Sequence, residues 1–194
     1  DVESVRVRTA YLKHIEAIYM LLGVTKTEAR KNQETIMRIE TAIAKLSMSK
    51  EDLRDVDKTY HPMRRTALAK LAPSVDWDAY FKIIGAGDAR NVVVMQPKFL
   101  TAISTLLSKV TLADWKTYLT WHLVGGSASH LTAKFEKQNF AFYGTTLSGT
   151  KSMKPLWRRA LSSVNGNLGE LLGKWYVQAY FGPDAKKKIV TVVA

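Results

Sequence analysis

Four histidines, His14, His61, His122 and His130, are the side chains of this sequence best suited to hold a metal or move a proton near neutral pH. A zinc hydrolase would show His-Glu-x-x-His, which sets two imidazoles one helical turn apart with a general base beside them. None of the four has a histidine partner at that spacing. His14 and Glu16 point to different faces of any helix, and His122 is separated from His130 by Gly125-Gly126. The spacing therefore predicts surface or core histidines. There is no cysteine, so neither a thiolate metal site nor a disulfide is possible.

Other chemistry is equally weak. Gly126-Ser127-Ala128-Ser129 approaches a nucleophile elbow, but His130 stands where the following glycine is required and no strand precedes it. Gly85-x-Gly87 lacks its third glycine, which would fall at Arg90, and reads as a helix stop. The paired acids Asp55/Asp57 and Asp76/Asp78 read as helix caps and solvated loops. No catalytic, cofactor-binding or metal-binding residue is assigned.

The basic residues are the remaining candidates. A formal charge of +12 over 194 residues favours acidic polymers or surfaces. Lys151, Lys154, Arg158 and Arg159 cluster near Trp157, and Lys186-Lys187-Lys188 follows Trp175, which suggests a nucleic-acid surface with aromatic stacking. The tryptophans fall on an apolar stripe and the charges mostly off it, the pattern of a core face and a solvated face. A basic helical module for nucleic acid or another polyanion is kept as the alternative reading.

The elements that would position these residues are helices. Between Pro155 and Phe181, residues Trp157, Leu161, Val164, Leu168, Leu172, Trp175 and Ala179 recur every three or four positions. This predicts one long helix of roughly 40 Å at about 1.5 Å per residue, on which the rest of the chain packs. Gly166, Gly169 and Gly173 interrupt it, but the apolar period keeps phase, so continuity is expected over a turn at Asn165-Gly166-Asn167. Tyr143 to Gly149 reads as the loop that delivers the chain into it.

Upstream, Tyr11, Ile15, Ile18 and Leu22 predict a helix over Arg8 to Leu22. A second begins at Thr25, which with Glu28 forms a capping box, and turns Ala29, Ile36, Ile39, Ile43 and Leu46 inward. A short helix follows His61-Pro62 through Leu68 and Leu71, and another is capped by Asp76 and ended at Gly85. Val92-Val93-Val94 predicts a small ribbon or connector. Pro97 opens a helix with Phe99, Leu100, Ile103, Leu106 and Leu107 inward. The next, capped by Thr111, buries Leu112, Trp115, Leu119, His122 and Leu123 and breaks at Gly125-Gly126. The expectation is an all-α chain of about eight or nine helices with at most a short β ribbon. No apolar run approaches the about 18 residues of a membrane span. The first residue is not methionine and the last apolar stretch ends at Ala194 without a cap, so a fragment truncated at both ends is expected.

Several blocks occur in series: ARKNQETIMRIETAIAKLSMSKEDLRDVDKTYHPM (Ala29 to Met63), LAPSVDWDAYF (Leu71 to Phe81), LADWKTYLTWHLV (Leu112 to Val124), FYGTTLSG (Phe142 to Gly149) and LWRRALSSVNGNLGELLGKWYVQAYF (Leu156 to Phe181). Together they resemble the neprilysin-type (M13 family) zinc metallopeptidases, in the same order over essentially the whole chain. The resemblance implies a multi-helix lobe, residues 1–194, of a two-lobed enzyme whose lobes surround an internal cavity. It implies zinc in the parent protein, held by sequence beyond Ala194 and by no residue of this chain. The implied partners are peptide substrates and the C-terminal catalytic lobe. The implied role is to wall the cavity so that only short peptides enter, with the isolated chain inactive. Animal members often carry a cysteine near Arg158-Arg159-Ala160, so its absence implies a bacterial-type member, exported or cytoplasmic. A structural or partner-binding domain without chemistry is the third reading.

Overall fold

The computed structural model describes residues 1–193, and of Lys186 and Val193 only the backbone. The basic run Lys186-Lys187-Lys188 and the chain end at Ala194 thus fall partly outside the described residues. Two compact units emerge, one over Asp1–Ser148 and one beginning at Gly149.

The first unit is built on α1 (Val2–Leu21) and α2 (Lys26–Leu46). Asp1 caps α1 by accepting from the Glu3 amide at 3.0 Å, so the helix starts well before the expected Arg8. Thr25 Oγ1 accepts from the Glu28 amide at 3.3 Å and starts α2 as expected. The two helices bury Ile15, Ile18, Ala29, Ile36 and Ile39 completely. Each of the four isoleucines contributes roughly 1.5–3 kcal/mol, and the helices owe their stability to this shared face.

Between them and the later helices lie short α3 (Val56–Thr59), α4 (Leu68–Leu71) and α5 (Trp77–Ile83). The valine run forms β2 (Asn91–Val93), antiparallel to β1 (Pro62–Arg64), with Met63 opposite Val92. Asp76 caps α5 through the Ala79 amide, and Gly85 at φ +72° ends it, as expected of a left-handed helix stop. α6 (Pro97–Lys109) opens on its proline.

α7 (Leu112–Ser127) departs from expectation in two respects. It runs through Gly125-Gly126, each costing about 1 kcal/mol against alanine, because Trp121, Val124 and the following Ala128 hold its end in place. Its buried face is also the opposite one. Trp121 is 3% exposed and packs on Ile15, Ile18 and Ile36, whereas Leu112, Leu119 and Leu123 stand open. The helix carries two apolar faces, and periodicity alone cannot choose between them.

After α8 (Ala133–Asn139), the segment expected to be a loop is a π-helix over Phe140–Leu147. The hydroxyls of Thr146 and Ser148 donate to the carbonyls of Ala141 and Tyr143, five residues back, which supports the wider turn. An added Cβ on Gly144 would stand 2.5 Å from the Phe140 ring, so only glycine fits.

In the second unit α9 (Leu156–Tyr180) is the longest helix, over the expected span. It is not straight: Leu168, at φ −123° and ψ 21°, breaks the helical geometry beside Asn165-Gly166-Asn167. Its stripe, including Trp157, Leu161 and Trp175, is exposed rather than core. α10 (Pro183–Val193) follows Gly182. Among the described residues the architecture is helical with one two-stranded ribbon. The packed centre lies on α1, α2 and α7.

Candidate functional site

The polar residues that converge do so inside the first unit. Glu40 falls in the apolar stripe of α2, between Ile36 and Ile43. A carboxylate there needs a partner. Tyr11 on α1 supplies it, donating its hydroxyl to Glu40 Oε1 at 2.7 Å, while Trp121 Nε1 on α7 donates to the Tyr11 oxygen at 3.0 Å. His122 Nε2 lies 3.9 Å from the same Glu40 oxygen. Tyr19 Oη donates to the Thr117 carbonyl at 2.6 Å, a second tie from α1 to α7.

His14, one turn beyond Tyr11, is 1% exposed. Its ring stacks on Phe142 at 4.9 Å between centroids and meets Trp121 edge-on at 5.4 Å. Gln138 Nε2 lies 3.2 Å from Nδ1, and Nε2 is buried without a hydrogen-bond partner among the described residues. Burial therefore pushes the imidazole down to about 4. Burial also pushes Tyr11 up, reinforced by its hydrogen bond to Glu40, and drives Tyr19 to about 12. Tyr143 and Tyr118 are raised by burial and by the charge of Glu40. At neutral pH His14 is thus uncharged and these tyrosines keep their protons. The cluster is a brace joining α1, α2, α7 and the π-helix.

The other histidines do not join it as ligands. His61 Nδ1 sits 3.1 Å from the Val94 carbonyl at the ribbon, and His130 lies in an exposed turn with Ser129. Among the described residues no three His, Asp or Glu side chains come together to hold a metal ion. The residues present do not fit zinc. The basic cluster near Trp157 lies in the second unit, where Trp157 is exposed and the Arg158 guanidinium covers its ring at 5.1 Å. No described helix is long and apolar enough to cross a membrane.

The brace was not anticipated from the sequence, where Tyr11 reads as one more apolar position. The signal was Glu40 itself, a charged residue in an isoleucine stripe.

Residues 1–194 match the family model described as peptidase family M13. Human endothelin-converting enzyme 1 is 29% identical over 196 residues, covering 98% of this chain and 26% of that protein. Drosophila melanogaster Neprilysin-3 is 27% identical over 202 residues, covering 97% of this chain and 25% of that protein. The Mycobacterium tuberculosis zinc metalloprotease Zmp1, solved in complex with an inhibitor, superposes with a TM-score of 0.91 at 31% identity. That match covers 100% of this chain and 29% of Zmp1. The chain spans about a quarter of the length of the curated relatives it matches.

Proposed function

This chain belongs to peptidase family M13, and from that premise we propose that it is the non-catalytic helical part of a zinc-dependent peptidase. In this reading it walls the cavity in which peptides are cut, admits short flexible chains and excludes folded proteins. Zinc and the catalytic groups come from the rest of the protein, and the 194-residue chain alone is inactive.

The observation that carries the reading is the match along the whole chain to a peptidase family, by a chain in which no described metal-ligand cluster forms. The His14 brace supports it, because it keeps His14 uncharged and Tyr11 and Tyr19 protonated at neutral pH and suits a wall better than a reaction centre. The open stripe of Leu112, Leu119 and Leu123 on α7 supports it too, as a face for the remainder of the protein to cover.

The test is hydrolysis of short peptides by this chain alone and by the complete product of its gene, with and without a zinc chelator. Activity of the complete product only, lost on chelation, is the expected result. Hydrolysis by the chain alone, or a complete product that is inactive with zinc present, overturns it.

A further inference from the structure

We propose that the pocket at the end of the β1–β2 ribbon is a subsite for the carboxylate side chains of acidic peptides. It is a concavity of about 530 Å³, within the range of small-ligand sites, walled by Arg64, Arg65, Thr66, Asp88 and Arg90 with Gly87 and Ala89.

Its three arginines are not equivalent. The Arg65 amide donates to the Arg90 carbonyl at 2.9 Å and clamps the two walls together. The Arg65 guanidinium donates to the Gly87 carbonyl and to Asp78 Oδ1, each at 2.5 Å, and lies 5.2 Å from the centre of the Phe81 ring. It is fixed and already neutralised. Arg64 and Arg90 are exposed and make no side-chain hydrogen bond or ion pair among the described residues. Arg64 pairs with Asn91 and Arg90 stands one rung further, across from Arg65, so the two leave the ribbon on opposite faces and border the pocket from different sides. Each free guanidinium offers the forked pair of donors that suits a carboxylate.

Two features favour a peptide carboxylate over a polyphosphate chain. Asp88 lines the same pocket and lowers its net positive charge, which weakens every anion and a densely charged one most. No aromatic side chain lines it on which a base could stack. That the ligand is a peptide rests on the peptidase reading above, whereas the preference for carboxylate rests on the arginines.

The experiment is fluorescence-anisotropy titration of the 194-residue chain with a labelled hexapeptide rich in glutamate and with its glutamine counterpart. The glutamate peptide should bind at least about tenfold more tightly, and R64Q and R90Q should each weaken it by about tenfold. A K151Q/K154Q variant, which removes charge from the second unit, should leave it unchanged. Equal affinity for the two peptides overturns the proposal, and so does equal weakening by K151Q/K154Q, which would mark bulk charge. Tighter binding of a charge-matched oligonucleotide, weakened by R64Q, also overturns it and assigns the pocket to phosphate. No hydrolysis is involved, so an inactive parent protein and an empty pocket are separate outcomes.

Discussion

The Tyr11 hydroxyl donates to Glu40 Oε1 at 2.7 Å and so joins the first two helices through a charge-assisted hydrogen bond inside an isoleucine face. The Tyr11 hydroxyl oxygen in turn accepts from Trp121 Nε1 at 3.0 Å. Removing this hydroxyl by Y11F takes a hydrogen bond from a partly buried carboxylate and leaves the indole N–H without its acceptor. The expected loss is about 1–3 kcal/mol in urea unfolding. A variant as stable as the parent would show that the brace contributes nothing.

His14 makes stability depend on pH. In the unfolded chain it protonates near 6.5, whereas burial in the fold holds it down to about 4. Between those values the unfolded chain binds the extra proton, so stability falls as pH drops. The loss starts near pH 6.5, is complete near pH 4, and amounts to roughly 3 kcal/mol. H14Q should be less stable than the parent at pH 7, with the gap narrowing toward pH 4.5. Parallel stability–pH curves for the two would rule out His14 as the source.

Glycines predict opposite signs in the two units. G144A drives a methyl into the Phe140 ring and should cost about 1–3 kcal/mol, with partial recovery in G144A/F140L. G173A meets nothing within 4 Å on α9 and should stabilise that helix by about 0.5–1 kcal/mol, read as raised helicity by circular dichroism. A neutral G144A would mean that the π-helix rearranges at little cost.

The two faces of α7 can be told apart by substitution. W121A should cost about 3–5 kcal/mol, the range for a large aromatic removed from a core. L119Q and L123Q, at 62% and 73% exposed positions, should each change the stability of this chain by no more than about 0.5 kcal/mol. If instead the leucine variants unfold the chain, the expected burial of Leu112, Leu119 and Leu123 was correct after all.

The helices themselves were largely legible. Asp76, Thr111, Pro97 and Gly85 start and stop elements where their local chemistry requires, and a cap or a left-handed glycine acts over a few residues only. The resemblance to the M13 peptidases was likewise carried by blocks in linear order. Legibility ended where one local pattern permits two outcomes. The Tyr143 to Gly149 stretch is as rich in turn formers as a loop, yet its hydroxyls and Phe140 satisfy a π-helix. The glycines of α9 kept the apolar phase, yet the backbone breaks at Leu168.

By itself the sequence determined the all-helical class, most element positions, the absence of thiol chemistry and the family, because each depends on residue type and near spacing. Tertiary structure alone decided which face of α7 is core, that Glu40 is satisfied by Tyr11, and that Arg65 is neutralised while Arg64 and Arg90 stay free. Those outcomes depend on which residues far apart in the chain meet, and burial and charge pairing take their energy from that meeting.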